Sequence, residues 1–537
     1  IMWMRRDRLL VSAILTTILT ADIYFVLLPK LQEKYFGNEC TCRDSPASST
    51  GDKLTGHWHN TSMTARSPPR GSDGMPTSPE SQTVRSGSKL EQLFTHPLYN
   101  IRTPRLGPDE TLLQPQESMS YYKRKVSRWN RHQKYYSAAA AAINISFPSN
   151  TVTFDPEASW VKFHLGINRY ALYSRDDPSI DQLLRDMGST PIISADYTQD
   201  EKILKGMCDC SQVVKPSGHH LKLALKFQDF SKAMFKPRRQ ERDEETPEDF
   251  FYFVDFQRHN AEIAAFHLDR ILDFRRVPPV AGRLVNITQE ILYTTRNEDL
   301  RSVFFTSPAN NTCFFAKCLY VCKTEYAVCG NPDMLEGSLS AYLPGLTIAP
   351  RLSIPNPWIR SYNFAGKEEW EVNPFYCDVV KQLYPYNTGN RLLNIIDMAI
   401  FDFLIGNMDR HHYEIFTKFG DDGFLLHFDN ARGFGRHSRD EISILAPLIQ
   451  CCVIKRSTLL RLKLLSQPQY RLSDVMRESL LRDGLHPILT EPHLIALDRR
   501  LQYVLRTVQK CVKRLGEAQV VAEDFIESKR TVNPISR

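Results

Sequence analysis

The chain has 537 residues, of which 42% are hydrophobic and 24% charged, and its formal net charge is +7. This length exceeds that of a typical domain, and the apolar content is enough for a large hydrophobic core. The positive charge is too dilute for a nucleic-acid-binding protein, and no basic and aromatic binding module is visible. The simplest organisation is one large domain behind an irregular leader.

Residues 1–30 are a candidate targeting segment. A positively charged stretch up to Arg8 precedes an apolar run from Leu9 to Leu28. Such a pattern is typical of a signal peptide or signal anchor, and the alternative is a buried core helix. The positive flank places the rest of the chain in the lumen of the secretory pathway, with membrane contact only through this leader.

Residues 31–117 are rich in Ser, Thr, Pro and Gly and are predicted to form a disordered stalk. The next segment, 118–157, begins with an amphipathic helix. Its apolar stripe consists of Met119, Tyr122, Val126, Trp129 and Tyr136, and its basic face of Lys123, Arg124, Arg128 and Arg131. The stripe requires a covering surface, which is either the chain's own domain or another subunit.

The remainder, from about residue 158 to 522, is predicted to be one folded unit. Strands are expected at 221–227 and 233–235. A helix is expected at 260–274, and the apolar helix at 392–405 should lie at the centre of the second lobe.

Disulfides and glycans are expected in a lumenal protein. Sequons occur at Asn60, Asn144, Asn286 and Asn310, and ten cysteines follow residue 200: Cys208, Cys210, Cys313, Cys318, Cys322, Cys329, Cys377, Cys451, Cys452 and Cys511. No spacing indicates a zinc site. The adjacent Cys451 and Cys452 must bond elsewhere, and Cys377 and Cys511 are natural partners. Two members of the group 313–329 are left to hold Cys208 and Cys210.

Two aspartates carry the strongest chemical signal. Asp409 and Asp429 lie twenty residues apart, around an expected hairpin. Phosphoryl transfer requires one carboxylate to orient or deprotonate the attacking hydroxyl and another to hold the metal on the nucleotide. Alternatively, the neighbouring Arg410, His411 and Arg432 form a buried salt-bridge network with these carboxylates.

A candidate phosphate-binding lysine lies upstream. Lys236 follows the strand-like residues 233–235, and Lys222 on the preceding strand is a second cation. Gln257 comes twenty-one residues after Lys236, at the entry of the predicted helix, where an ordinary kinase has a glutamate that pairs with the lysine. No glycine-rich loop of the G-x-G-x-x-G type precedes Lys236, so the predicted fold is an atypical kinase.

Three sequence blocks carry a family resemblance: residues 255–270, 406–414 and 429–435. They resemble the lumenal kinases of the family with sequence similarity twenty, which includes the Golgi casein kinase. The resemblance covers about residues 155–520. It implies an α+β, two-lobed, atypical protein-kinase-like fold with disulfide-bonded insertions. The N-lobe would span 158–339, the C-lobe 340–522 and a tail 523–537, in the Golgi lumen or secreted.

The resemblance also implies the roles of site residues. Asp409 would be the base, here vestigial, and the segment from Ser340 to Leu343 the hinge beside the adenine. The implied nucleotide-binding residues are Lys222, Lys236, Ser340, Ala341, Tyr342, Leu343, Glu414 and Asp429.

Gln257 replaces the glutamate that holds metal and pairs with the lysine in active members, so only Asp429 remains as an anionic anchor for a divalent ion. Rescue by Glu262 is disfavoured, because five helical residues rotate its side chain off the face of Gln257. We therefore expect ATP binding without turnover or a required metal.

The glutamine indicates the pseudokinase branch of the family, member A. The resemblance implies that such a protein binds the Golgi casein kinase and raises its activity toward secreted Ser-x-Glu proteins of enamel and bone, with a homodimer as another assembly. The alternatives are an active lumenal Ser/Thr or proteoglycan xylose kinase that uses ATP with Mn²⁺ or Mg²⁺, and a secreted scaffold that binds no nucleotide.

Overall fold

A computed structural model describes residues 87–100, 106–107, 109–141, 150–197, 221–247, 257–315, 324–361 and 366–524. These residues all belong to one compact unit. The leader and most of the stalk lie outside the described residues, as do Asn60, Asn144, Cys208, Cys210, Cys318 and Cys322. Within the described residues, no helix has both the length and the apolar character that spanning a bilayer requires.

The described chain begins with four helices, has most of its strands between residues 192 and 355, and is mainly helical after residue 369. The helices are α1 (Lys89–Thr95), α2 (Pro115–Ala141), α3 (Ser159–Gly166), α4 (Pro178–Ser189), α5 (His259–Ile271), α6 (Glu298–Arg301), α7 (Glu369–Val372), α8 (Tyr376–Val380), α9 (Arg391–Ile405), α10 (Ala446–Cys451), α11 (Arg456–Leu465), α12 (Leu472–Leu480), α13 (Glu491–Leu515) and α14 (Glu517–Val520). The strands are β1 (Ile192–Tyr197), β2 (Leu223–Phe227), β3 (Lys232–Pro237), β4 (Val280–Asn286), β5 (Phe304–Thr306), β6 (Thr312–Phe314), β7 (Val328–Cys329), β8 (Met334–Ala341), β9 (Arg351–Pro355), β10 (His412–Phe416), β11 (Ile454–Lys455) and β12 (Val521–Ala522).

A five-stranded antiparallel sheet in the order β1-β2-β3-β8-β4 forms the first lobe. The sequence predicts β2 and β3 within two residues of their observed bounds. Strand β3 is the middle strand, and Lys236 lies opposite Ser338 of β8. Helix α5 packs against β8 and β4, and Glu262 in its first turn reaches the lysine of β3.

The second lobe is helical, with α9 at its centre. All but two of the residues of α9 are buried, as expected for a helix that is apolar on nearly every face. The helix ends at Gly406, which adopts a left-handed conformation with φ of 73° and directs the chain toward Asp409.

The predicted hairpin between Asp409 and Asp429 is reduced to one antiparallel bridge. Strand β10 pairs along its full length with β9, from Arg351 to Pro355, and meets the later chain only at a single bridge between Glu414 and Leu426. The segment that leads into Asp429 therefore lies beside β10 without forming a regular strand.

Three disulfides join described cysteines. Cys377 bonds to Cys451, and Cys452 bonds to Cys511, so the adjacent pair connects α10 to α8 and to α13. These two bonds agree with the prediction that Cys377 and Cys511 are the partners of Cys451 and Cys452. The third bond joins Cys313 to Cys329 across β6 and β7.

The stripe of α2 is covered by the chain's own first lobe. Tyr122 and Val126 are buried, and the Tyr122 hydroxyl lies 2.7 Å from Nδ1 of buried His164. The Trp129 ring is capped by the Lys226 ammonium, 3.6 Å from the ring centroid. Tyr136 at the far end of the stripe is 48% exposed.

Candidate nucleotide site

Lys236 is the centre of the candidate site. Its Nζ donates to Glu262 Oε1 at 2.6 Å and to Asp429 Oδ1 at 2.7 Å. Burial lowers the pKa of this lysine, but the two carboxylates outweigh burial, so the pKa lies above its usual value and the side chain is a cation. The three residues join β3, α5 and the segment after β10.

The lysine's ion-pair partner is Glu262, and the prediction that Gln257 occupies that place is wrong. Helix α5 begins at His259, so Gln257 precedes the helix and the rotation of five helical residues does not separate the two positions. Glu262 lies in the first turn and reaches both the lysine and the backbone N–H of Asn430, at 3.1 Å. Glu262 therefore supplies the carboxylate that pairs with the lysine, which the sequence analysis disfavours.

Gln257 lies beside the Asp429 segment. The backbone N–H of the next residue, Arg258, donates to the carbonyl of Ala431 at 2.8 Å, two residues after Asp429. The Gln257 side chain is 8% exposed. The position is thus close to the anionic end of the site, where an amide supplies no charge.

Asp429 is held in an unusual conformation, with φ of 53°. Left-handed backbone at a residue other than glycine costs of order 1–3 kcal/mol, and it persists where the surroundings enforce it. Here Lys236 holds the carboxylate, and the backbone N–H of the following Asn430 donates to Glu262. The carboxylate is 59% exposed and faces the open side of the site.

The candidate base, Asp409, is ion-paired. Its Oδ2 lies 2.9 Å from Nε of Arg432. The neighbouring Arg410 instead binds Asp402, with Nη2 and Nε at 2.8 and 2.9 Å from the two carboxylate oxygens. Of the three cations in the salt-bridge alternative, Arg432 pairs with Asp409, whereas Arg410 binds Asp402 and His411 lies against His412.

Glu414 also has a cationic partner. Its Oε2 lies 3.1 Å from Nε of Arg351, which is on the paired strand β9. No sequence motif marks Arg351, and only the β9–β10 pairing brings it to Glu414.

The predicted hinge, residues 340–343, spans the end of β8. The Tyr342 N–H donates to the carbonyl of Lys232, and the Tyr342 carbonyl lies 2.8 Å from His164 Nε2. The backbone N–H and carbonyl of Tyr342 therefore both have hydrogen-bond partners within the chain. Ser340 and Ala341 belong to β8. Lys222 lies one residue before β2.

The charges around the site largely cancel. In the described part of the chain, Lys236 pairs with Glu262 and Asp429, Arg432 with Asp409, and Arg351 with Glu414. Among the described residues, no group of three His, Cys, Asp or Glu side chains could hold a metal ion. A divalent ion favours several anionic oxygens, so the residues present do not fit such an ion well.

A buried pair behind the site was missed in the sequence. His427 Nδ1 lies 3.2 Å from Asp269 Oδ1, and both side chains are fully buried. Burial raises the pKa of Asp269 to about 7 and lowers that of His427 well below its usual value. The pair links α5 to the residues just before Asp429, and the long block 255–270 was its only sequence signal.

The two described sequons differ in exposure. Asn310 is exposed in a turn, with φ of 60°. Asn286 is partly buried at the end of β4, and its Oδ1 accepts from the N–H of Gln289.

A family model described as "Golgi casein kinase, C-terminal, Fam20" matches residues 158–520. The human protein named Pseudokinase FAM20A is 62% identical to the chain over 538 residues, which cover 98% of the chain and 97% of that protein. Human extracellular serine/threonine protein kinase FAM20C is 50% identical, over 82% of the chain and 71% of that protein.

The structure is similar to crystal structures of the Golgi casein kinase. The one with Mn/ADP bound matches with a TM-score of 0.63 and 38% sequence identity, over 68% of the chain and 83% of that protein. The predicted α+β kinase-like fold is confirmed by this match.

Proposed function

Because the chain belongs to the Fam20 family, we propose that it is a secretory-pathway pseudokinase that binds the Golgi casein kinase and activates it allosterically, promoting phosphorylation of Ser-x-Glu proteins in enamel and bone. The chain's 62% identity to a protein named a pseudokinase supports the absence of turnover. The observation that carries the proposal is the paired state of the carboxylates: Lys236 binds both Glu262 and Asp429, and Arg432 binds Asp409.

Nucleotide binding without turnover follows from this arrangement. Lys236 is a cation placed to contact a phosphate, and the family includes a structure with Mn/ADP bound. Gln257 adds no charge where a metal would need a second anionic anchor. We propose that ATP binds with little dependence on a divalent ion.

One observation favours an active kinase, which is the position of Glu262 beside Asp429. Its Oε1, however, accepts from both Lys236 Nζ and the Asn430 N–H. A metal at this oxygen would have to displace the lysine, so the pair supports ordering of the site more than metal binding.

An exposed apolar surface on the second lobe is the proposed contact with the partner kinase. Phe375, Val379 and Leu383 recur every four residues around α8 and are 72%, 38% and 48% exposed. Contiguous exposed apolar side chains mark interaction sites on soluble proteins. The same helix carries Cys377, whose bond to Cys451 anchors it to α10. A fixed apolar surface suits a stable contact with a folded domain.

The test measures activation of purified Golgi casein kinase by the full-length protein. We expect wild type to raise the initial rate of casein phosphorylation, and Phe375→Asp with Leu383→Asp to abolish both the increase and co-purification. Ile495→Asp, at a residue of α13 that is 60% exposed, is the matched control and should activate normally. No activation by wild type would reject the proposed function, and full activation by the double variant would reject this surface.

A further inference from the structure

Helix α2 carries most of the protein's excess charge. Its 27 residues include six Lys or Arg and one Glu, a net charge of +5 against +7 for the whole chain. The six are Lys123, Arg124, Lys125, Arg128, Arg131 and Lys134. All six are exposed, and none forms a salt bridge within the described residues. The charge is therefore concentrated on a solvent-facing helix.

The arginines form a straight row. Arg124, Arg128 and Arg131 are spaced by four and three residues, so they lie on one face of the helix. The buried Tyr122 and Val126 lie on the opposite face, against the chain's own lobe. At 1.5 Å per residue, the cations from 123 to 134 cover about 16 Å. The six cations of α2 between Lys123 and Lys134 therefore form a basic surface that faces solvent, hereafter called the α2 row.

A cavity extends the α2 row at one end. It has a volume of about 730 Å³, and its charged lining residues are Glu117, Arg124 and Lys418. The two cations exceed the single carboxylate, and Tyr121 supplies an aromatic wall. At the other end, the Arg296 guanidinium lies 4.7 Å from the ring centroid of Tyr136, beside a Tyr135 that is 72% exposed.

Burial is the main influence on Lys226, whose ammonium caps the Trp129 ring of α2. Burial, followed by the charges of Lys232 and Lys125, lowers the pKa of Lys226 to about 7. Like charges that are held together raise the local positive potential, and an anionic ligand relieves it.

We propose that the α2 row binds a sulfated glycosaminoglycan. Arginine matches planar oxyanion groups through two parallel hydrogen bonds, and Lys/Arg-rich segments of this length form heparin-binding patches. A stiff polysaccharide fits a fixed row without the backbone ordering that costs an acidic peptide about 1–2 kcal/mol per residue. A membrane surface suits the row less, because the apolar face that would insert is buried.

The compartment is consistent with this ligand. Two homologues of the chain are named extracellular serine/threonine protein kinases. The abundant linear polyanions outside cells are sulfated glycosaminoglycans. The inference concerns a surface distant in sequence from Lys236 and Asp429, and it does not depend on the proposed activation of a partner.

The test uses full-length protein, heparin oligosaccharides and chemically desulfated heparin. We expect wild type to bind heparin with strong salt dependence. Replacing Arg124, Arg128 and Arg131 by Gln should weaken binding about 100-fold at low salt, since each cation near a dense anionic surface contributes about fivefold. Desulfated heparin should bind no better to wild type than to this variant.

The matched control replaces Arg506, Lys510 and Lys513 on α13, which have the same spacing and are also exposed. It removes the same charge and should change heparin affinity less than threefold. Unchanged binding by the α2 variant, or equal loss in both variants, overturns the proposal. The proposal is also overturned if wild type does not bind heparin but binds a casein phosphopeptide, and the α2 variant loses that binding. Equal thermal midpoints for the three proteins show that folding is preserved.

Discussion

Lys236 and Glu262 form a buried ion pair, with Nζ and Oε1 2.6 Å apart and side chains 9% and 5% exposed. The pair connects the middle strand of the sheet to the first turn of α5. Asp429 completes it from the second lobe. The features that order a kinase site are thus in place, while Gln257 adds no negative charge beside them. The protein retains the framework of the site with a weakened place for metal.

Loss of Glu262 should destabilise the fold more than loss of Asp429. Glu262→Leu removes one partner of a buried pair, and we expect a cost of about 3–5 kcal/mol in the free energy of unfolding. Asp429→Asn should cost about 0–1 kcal/mol, because that carboxylate is 59% exposed. Urea denaturation measures both.

A double variant provides the control for this prediction. Lys236→Met with Glu262→Leu replaces the buried pair by apolar side chains and should be more stable than Glu262→Leu alone, since no buried charge remains and the Asp429 carboxylate that loses its partner is 59% exposed. If the double variant is the less stable of the two, Glu262 does not act through the lysine.

Asp269 should make stability depend on pH. Its folded pKa of about 7 exceeds the ordinary 3.8, so the folded state binds more protons between these values. Its contribution to the free energy of unfolding is therefore greatest at low pH and is lost as pH rises from about 4 to 7. Asp269→Asn, which keeps an acceptor for the N–H groups of Arg276 and Val277, removes this dependence.

The measurement compares wild type with Asp269→Asn in urea at pH 5 and pH 7.5. Relative to the variant, wild type should lose about 2 kcal/mol between the two pH values. A constant difference would show that the carboxyl does not change protonation in this range.

The long disulfide should stabilise the fold more than the short one. Cys377 and Cys451 are 74 residues apart, whereas Cys313 and Cys329 are 16 apart. Loop-closure entropy predicts that replacing the first pair by serine costs about 1.4 kcal/mol more than replacing the second. Chemical denaturation of the two double variants checks the order, and the reverse order contradicts the chain-entropy account.

The Tyr122 hydroxyl should matter for the anchoring of α2. Tyr122→Phe leaves Nδ1 of buried His164 without this partner, and we expect a loss of about 1–3 kcal/mol. Tyr135→Phe on the same helix is the control, because Tyr135 is 72% exposed. Equal stability of the two variants would mean that the hydroxyl contributes nothing measurable.

Much of the site is predictable because its motifs are local in sequence. The block 406–414 places Asp409 and Glu414 on one short segment, and the helical spacing of 392–405 predicts the buried α9 that supports it. The partners of these carboxylates are not predictable in the same way. Arg351 meets Glu414 only through strand pairing that no motif records.

The choice between Gln257 and Glu262 depended on the start of one helix. A start at or before residue 257 puts the two side chains on different faces, whereas the observed start at His259 leaves Gln257 on extended chain and Glu262 facing the lysine. The sequence is similarly limited in what it predicts about the apolar stripe of α2. Amphipathicity predicts that the face is covered, but not whether the chain itself or a partner covers it.

The central claim is that this protein does not transfer phosphate by itself. The most direct test is the initial rate of phosphate transfer from ATP to casein with Mn²⁺ and purified full-length protein alone, compared with Asp409→Ala and Gln257→Glu. We predict that wild type and Asp409→Ala have the same background rate, and that Gln257→Glu, which restores an anionic anchor, is the only one to gain metal-dependent transfer. A wild-type rate that Asp409→Ala abolishes would contradict the account.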